Sequence, residues 1–203
     1  MIRNIVFDMG NVVLRFEPES FMTREGITDP ADREILRREL YLSTEWAQMD
    51  YGHETEDTFE PKVKARVPEH LRSHIGNLLR FWRVMAEQVP GMEDLVRRVK
   101  EAGYGVYLLS NASAGQPTYW HTIPVSRYFD GTLISSDVKT IKPCPDIYRI
   151  FTEKFALKPE ECLFVDDATA NVAGAVNSGW QGIVFHGDAA ELERKMREMG
   201  IEI

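Results

Sequence analysis

Five short apolar runs are spaced along the chain, and each ends at charged or turn-forming residues. They cover residues 4–7, 105–109, 131–135, 162–165 and 182–185, with the third the weakest of the five. Uninterrupted apolar runs of this length, bounded by turn residues, are typical of strands buried on both faces of a parallel sheet. The pattern therefore predicts five strands.

Helical patterns lie between these runs. Residues 92–101 mix apolar positions with charged ones, residues 145–154 follow a proline start, and the alanine-rich residues 169–178 stop at Gly179. A regular alternation of strand and helix is typical of a parallel sheet that carries helices on both faces. We therefore expect an α/β fold built on a doubly wound, Rossmann-like parallel sheet.

Residues 16–87 break this alternation, because they are charged, favour helix and contain no strand-like run. Helix starts are marked at Asp29, Thr44, Thr55 and Pro68. We predict an inserted bundle of about four helices, a cap on a catalytic core of residues 1–15 and 88–203. The expected connections lie near residues 14–18 and 88–91. The alternative is one irregular single domain.

Composition narrows the classes of partner. The 203 residues are 43% hydrophobic, which is ordinary for a globular core, and the net charge of −8 disfavours nucleic acid or an anionic membrane as a partner. The two cysteines, Cys144 and Cys162, have no metal or redox spacing, and the apolar run after Arg3 is too short for a signal peptide. We expect a cytoplasmic protein with no membrane partner.

Polar residues follow three of the predicted strands. Asp8 follows the first, Ser110 and Asn111 end the second, and Asp166 and Asp167 follow the fourth. Ligands of open parallel sheets bind beyond the carboxyl ends of the strands, so these side chains are expected to converge. Three carboxylates in one crevice repel unless a cation neutralises them, and Mg²⁺ prefers oxygen ligands. The alternative is that these acids only cap the helices that follow.

Lys142 is a candidate phosphoryl-binding cation. It precedes Pro143, which restricts its backbone to extended conformations and so limits where it can point. Ser110 and the amides around Asn111 can donate to phosphate oxygens as well. Because Lys142 lies in a loop with no evident partner, we expect it to contribute little to stability. Trp46, Trp82 and Trp120 are expected to pack internally, with any one of them free to line the cleft.

Four short segments together resemble the ordered motifs of the haloacid dehalogenase (HAD) superfamily. They are residues 7–13, 109–111, 142–143 and 164–167, with the sequences FDMGNVV, LSN, KP and FVDD. Each is unspecific alone, but four in this order at strand ends are a strong signal. The helical insertion after the first motif resembles the α-helical cap of one subgroup. The motif sequences are also similar to those of bacterial phosphatases of glucose 1-phosphate and of the N-terminal phosphatase domain of bifunctional epoxide hydrolases.

The resemblance implies a Mg²⁺-dependent phosphatase of a small phosphorylated metabolite, plausibly a sugar phosphate. Asp8 would attack phosphorus to give an aspartyl-phosphate, and Asp8 and Lys142 are the implied catalytic residues. The implied metal ligands are Asp8, the Gly10 carbonyl and Asp167, with Asp166 a further ligand or a residue behind them. The implied phosphate-binding residues are Ser110, Asn111 and Lys142. A monomer or a homodimer is expected.

Gly10 departs from the pattern of the phosphatases in this superfamily, which usually carry a second Asp two residues after the nucleophile. Losing a positioned proton donor can cost about 10²–10⁴-fold in rate. Water, a substrate hydroxyl or a side chain of the inserted segment could supply the proton instead. We therefore expect turnover to depend on the leaving group.

Two other functions stay open. Asp8 could instead displace a halide from a small halo-acid, a reaction that needs no metal, and the Asp166–Asp167 pair argues against it. A catalytically weakened regulatory or scaffold protein is the second alternative, motivated by Gly10. The presence of Asp8, Lys142 and Asp167 argues against that, because a scaffold gains nothing from buried like charges.

Overall fold

The five predicted strands form one parallel sheet in the computed structural model, which describes residues 1–203, with side chains for residues 1–83 and 86–203. The strands run in the order β3-β2-β1-β4-β5, so the first strand lies at the centre. Their bounds are β1 (Asn4–Phe7), β2 (Gly105–Ser110), β3 (Gly131–Ile134), β4 (Cys162–Asp166) and β5 (Gln181–Val184). Register pairs Phe7 with Leu108 and with Val165, which aligns the carboxyl ends of β1, β2 and β4.

Helices connect the strands and follow the last one. Their bounds are α1 (Pro18–Arg24), α2 (Pro30–Leu36), α3 (Thr44–Asp50), α4 (Glu56–Arg66), α5 (Ile75–Leu79), α6 (Trp82–Met85), α7 (Met92–Glu101), α8 (Pro117–Trp120), α9 (Ser135–Val138), α10 (Pro145–Phe155), α11 (Thr169–Asn177) and α12 (Ala189–Glu198). A π-helical stretch, Arg37–Tyr41, extends α2, and 3-10 helices cover Glu69–His74, Pro124–Tyr128 and Pro159–Glu161.

The sheet is covered on both faces, as a doubly wound fold requires. Alternate residues of β1 show this, because Ile5 and Phe7 join the hydrophobic cluster of α7 and α12, whereas Val6 joins the cluster of α10. The prediction of a doubly wound parallel sheet is therefore confirmed. Every residue of β1 and β4 is buried. This explains why the sequences of these strands are largely continuous apolar runs and do not alternate between apolar and polar residues.

The inserted helices α1–α6 bury a hydrophobic cluster of their own, built on side chains such as Phe21, Leu40, Phe59 and Leu78. Local capping explains where these helices begin. Asp29 accepts from the Ala31 amide at 2.7 Å, and Thr55 forms a capping box with Thr58. Ser43 caps α3, so Thr44 is its first residue and not its cap. Pro68 precedes a 3-10 helix instead of an α-helix.

The chain enters and leaves this helical segment along two adjacent stretches. Leu14 bridges Gln88 in an antiparallel sense, and the Arg15 and Val89 amides donate to Glu87 O and Val13 O at 2.8 and 2.9 Å. The boundaries of the core and cap, and any hinge at these connections, stay predictions. Within the described part of the chain, no helix has the length and apolar character to cross a membrane. The cytoplasmic location and the oligomeric state also stay predictions.

Candidate active site

Three carboxylates meet at the carboxyl ends of the central strands. Asp8 follows β1, Asp166 ends β4, and Asp167 begins the loop after it. One carboxylate oxygen from each lies within 4.8 Å of the other two. The strands are adjacent and parallel and their carboxyl ends are aligned, so residues that follow them come close together. The convergence of these carboxylates could therefore be predicted from their positions after the apolar runs.

Lys142 lies inside this cluster and not in solvent. Its side chain is buried, and its Nζ lies 2.7 Å from Asp8 Oδ1, 2.7 Å from Asp166 Oδ2 and 3.1 Å from Leu109 O. Burial opposes the charge, but the two carboxylates outweigh it and the pKa of Lys142 is raised. The expectation of a loop lysine without a buried partner is therefore wrong. Sequence spacing could not reveal that the loop folds back onto both aspartates.

The two adjacent aspartates have different surroundings. The fully buried Asp166 accepts from Lys142, from the Ala168 amide at 2.8 Å, and from Asn171 Nδ2 at 3.1 Å on both oxygens. Asp167 is exposed on the cavity and accepts from Asn11 Nδ2 at 3.1 Å. Asp166 is thus largely occupied by protein donors, whereas Asp167 keeps free lone pairs toward the cavity.

The end of β2 holds the lysine loop in place. Asn111 Oδ1 accepts from the Lys142 amide at 2.8 Å, and Asn111 Nδ2 donates to Lys142 O at 3.1 Å. The side chain of Asn111 is therefore committed to the backbone of Lys142. The buried Ser110 borders the cavity beside it. Ser110 and Asn111, two of the three implied phosphate-binding residues, thus lie at the site, but the Asn111 side chain is occupied.

Asn11 is a site residue that the sequence reasoning missed. Its backbone is left-handed, with φ 55°, and its side chain accepts from the Phe16 amide at 2.9 Å while donating to Asp167. Asn tolerates this left-handed conformation better than most residues. An Asn directly after Gly10 was therefore the sequence feature that indicated a tight turn at this position. Asn11 therefore connects the first strand end to Asp167.

A cavity of about 230 Å³ separates these residues from the helical segment. Phe16, Trp46, Trp82 and Tyr119 form an aromatic wall that faces the carboxylates. The Trp82 ring is nearly parallel to Phe16, at 5.7 Å and 18°, and to Tyr119, at 6.3 Å and 8°. Trp46 and Trp82 thus line the cleft, while Trp120 is buried in the core. Flat aromatic faces suit the apolar face of a ring or carbon chain.

Two further acids, Asp50 and Glu56, also line the cavity from the helical side. Glu56 accepts from Arg83 Nη2 at 2.7 Å and lies 3.5 Å from Arg80 Nε. Among the side chains that the structure describes, none forms a hydrogen bond or ion pair with the Asp50 carboxylate. Burial raises the pKa of Asp50 to about 7, with Lys142 opposing and Asp8 adding to the shift. No local motif marks either residue, because only the packing of the helices brings them to the cavity.

The buried position of Asp8 also affects its charge. Burial raises the pKa of Asp8 to about 6, Lys142 lowers it, and Asp166 raises it. A carboxylate this close to two others is expected to need neighbouring positive charge to stay ionised.

Comparison with known proteins agrees with this geometry. A family model described as haloacid dehalogenase-like hydrolase matches residues 2–179. A D-ribitol-5-phosphate phosphatase from Bacteroides thetaiotaomicron is 26% identical over 192 residues, covering 85% of this chain and 86% of that protein. A chloroplast flavin mononucleotide hydrolase from Arabidopsis thaliana is 24% identical over 113 residues, which cover 56% of this chain but only 46% of the plant protein.

Solved structures give the same result for the fold. A HAD family enzyme from Bacteroides thetaiotaomicron, solved in complex with magnesium and inorganic phosphate, superposes with a TM-score of 0.71. The match covers 95% of this chain and 99% of that one at 23% identity. At this level of identity, the likeness concerns the fold.

Proposed function

The chain belongs to the haloacid dehalogenase-like hydrolase family, and we propose that this hydrolase is a Mg²⁺-dependent phosphatase of a small phosphomonoester that works through an aspartyl-phosphate on Asp8. The observation that carries the proposal is the cluster of Asp8, Asp166 and Asp167 around the buried Lys142. Such a cluster combines a carboxylate nucleophile with the positive charge that a phosphoryl group needs.

The donor set fits a hard divalent cation. The ligand atoms that Asp8, Asp166 and Asp167 can offer are carboxylate oxygens, as Mg²⁺ prefers, and Lys142 balances only part of their charge. Asp8, the Gly10 carbonyl and Asp167 would hold the ion. Asp166 would act behind them by orienting Lys142, because its own oxygens already accept four hydrogen-bond contacts. When bound, Mg²⁺ would neutralise the carboxylates and polarise the phosphoryl oxygens.

Residues of the chain itself would keep the nucleophile ionised and bind the phosphoryl oxygens. Asp8 Oδ1 lies 2.7 Å from Lys142 Nζ, so the lysine can keep the nucleophile ionised and also contact a phosphoryl oxygen beside it. Ser110 and the main-chain amide of Asn111 would donate to the other oxygens. The Asn111 side chain instead fixes the Lys142 loop, which holds the positive charge in place before substrate arrives.

The cavity limits the substrate class. Its volume of about 230 Å³ suits a metabolite rather than a macromolecule. Among the described lining residues there is no Lys, Arg or His, and Asp50 and Glu56 are acidic, so a second anionic group on the leaving alcohol is disfavoured. The aromatic wall can take an apolar face, and the acids can accept hydroxyl groups. We therefore propose an uncharged polyol or sugar phosphate, which agrees with the named activity of the Bacteroides relative.

The same features argue against the alternatives. A metal-free displacement of halide gives no use for the cluster of three acids. A scaffold would have no use for two buried carboxylates that share one buried lysine.

One assay separates these functions. Phosphate release is measured from a sugar phosphate, a polyol phosphate, a sugar bisphosphate and an aryl phosphate, and halide release from a chloro-acid, each with Mg²⁺ and after EDTA. We expect Mg²⁺-dependent release from the monophosphates, weak release from the bisphosphate and none of the halide. Full turnover in EDTA, with metal removal confirmed by elemental analysis, would exclude the proposed mechanism.

A further inference from the structure

Gly10 supplies no side-chain proton donor for the leaving-group oxygen. A Cβ built at Gly10 would meet no atom within 4 Å, so the place of the missing carboxylate is open space at the edge of the cavity. Protonation of a departing alkoxide has to come from elsewhere, because an alkoxide is a poor leaving group without a proton.

Resting on the phosphatase function proposed above, we propose that Asp50, at the end of α3 in the inserted segment, is the general acid and base of the reaction. Asp50 lines the same cavity as Asp8 and Gly10, and its carboxyl is close enough to Lys142 and Asp8 for their charges to act on it. A phosphomonoester bound at Asp8 would place its leaving group in this cavity. Asp50 thereby takes the place of a side chain at position 10.

Asp50 is fixed to the sheet side although it belongs to the inserted helices. Its carbonyl accepts from Ser135 Oγ at 2.6 Å, and the same Oγ accepts from the Ala112 amide at 3.0 Å. Two residues further on, Gly52 O accepts from Lys139 Nζ at 2.5 Å. Gly52 has φ 66°, and a side chain there would collide with Ser136 O. The end of α3 is therefore docked beside the loop that follows Ser110 and Asn111, which gives Asp50 a defined position.

The other polar side chains at the cavity are less suitable. Glu56 is engaged by Arg83 and lies near Arg80, so its oxygens are committed to accept. The Tyr119 hydroxyl points at Met9 Sδ, 3.9 Å away, and burial raises the pKa of Tyr119, which makes it a poor proton donor. Asp50 has neither restriction, and its pKa near 7 lets it hold a proton and release it at neutral pH.

The proton balance closes over the two steps. Asp8 Oδ forms a bond to phosphorus, the bond from phosphorus to the leaving oxygen breaks, and that oxygen takes the proton of the Asp50 carboxyl. A water oxygen then attacks the aspartyl-phosphate and gives its proton to the Asp50 carboxylate, while the bond from Asp8 to phosphorus breaks. Phosphate leaves, and Asp8 and Asp50 return to their starting states.

The test is Asp50→Asn with phosphate esters of similar size and graded leaving-group pKa. A nitrophenyl ester needs no proton on its leaving oxygen, whereas an alkyl ester does. We expect kcat/KM to fall about 10²–10⁴-fold for alkyl esters and by less than about threefold for the nitrophenyl ester. For that ester kcat should fall and a burst of nitrophenol should precede the steady state, because hydrolysis of the aspartyl-phosphate loses its base.

Three controls make the test specific. Gly10→Asp in the Asp50→Asn background should restore alkyl turnover, because the new carboxylate enters open space. Asp57→Asn alters an exposed acid of the same segment and should leave the series unchanged. Glu56→Gln should change KM for all esters to a similar extent. A uniform loss over all esters in Asp50→Asn, or no loss, overturns the assignment of Asp50. A natural protein that releases phosphate from no ester overturns the phosphatase function itself.

Discussion

The two walls of the cavity differ in how their charged groups are satisfied. On the sheet wall, Lys142 pairs with both Asp8 and Asp166, and Asp166 accepts from Asn171. On the helical wall, the described side chains leave the Asp50 carboxylate without a partner, and the surrounding surface is largely aromatic. On the sheet wall the buried Asp8 and Asp166 share one lysine, and Asp167 stays open to the cavity. On the helical wall Glu56 is paired with Arg83, and Asp50 has no side-chain partner among the described residues.

In the proposed phosphatase reaction, this difference would separate two tasks. A phosphoryl group carries the same charge in every substrate, so the groups that meet it can be fixed in advance by hydrogen bonds. The leaving group differs between substrates, and its proton has to move, so the group that serves it cannot be locked in an ion pair. Partnered charges on one wall and a free acid on the other suit those two tasks.

The largest expected effect comes from breaking the sheet wall at its nucleophile. Asp8→Asn keeps the size of the side chain but removes the attacking carboxylate, so turnover should fall by at least about 10⁴-fold. The fold should survive, because Lys142 keeps its contact with Asp166. Phosphate release and a thermal melt measure the two effects, and a variant that unfolds or keeps turning over would contradict the role of Asp8.

Lys142→Met should cause the next largest effect, with losses in both activity and stability. The substitution leaves Asp8 and Asp166 buried without their cation, which typically destabilises by about 3–5 kcal/mol, and kcat/KM should fall about 10³-fold. Chemical denaturation and steady-state kinetics measure these changes.

A double variant makes the Lys142 result easier to interpret. Lys142→Met with Asp166→Asn removes one buried charge of each sign, so it should recover part of the lost stability while remaining inactive. Recovery of activity as well would mean that Lys142 is needed only for the fold.

The Lys142 contacts also mark what the sequence could and could not predict. Strand ends are local features: Asp8, Ser110 and Asp166 were placed correctly because each follows an apolar run, and β1 and α7 were found at their observed bounds. Contacts across loops are not local. Lys142 is buried and its backbone is bonded to the Asn111 side chain because a loop brings together two residues that are 31 positions apart in the sequence.

The helical wall was the harder part to predict. Helix starts at Asp29 and Thr55 were visible as caps, but how six short helices pack against each other is decided by tertiary contacts. Asp50 therefore gave no signal, although the missing carboxylate at Gly10 indicated that a donor was needed. The sequence showed that position 10 has no carboxylate, and the packing of α3 brings Asp50 to the same cavity.

A smaller effect is expected from altering the aromatic part of the helical wall. Trp46→Leu removes a ring that lines the cavity and lies 6.0 Å from Phe16. KM should rise about tenfold, the loss of one aromatic contact, while kcat changes little because the sheet wall is intact. Leu42→Ala, at an exposed position in the same segment, is the matched control. An equal fall in kcat would indicate that Trp46 also positions the reacting groups.

The smallest effect concerns stability, and it tests whether Asp50 is free. Because burial raises its pKa from 3.8 to about 7, the folded state holds this proton more tightly than the unfolded state. The stabilisation is present below pH 4 and is lost as the pH rises to 7. Asp50→Asn does not titrate, so relative to the natural protein it should gain about 1 kcal/mol between these pH values, less than the full shift because the side chain is partly exposed. Denaturation in EDTA at several pH values measures the gain, and Asp57→Asn should show no such trend. A gain that does not vary with pH would mean that the Asp50 carboxylate has a partner in solution, and the contrast between the two walls would then disappear.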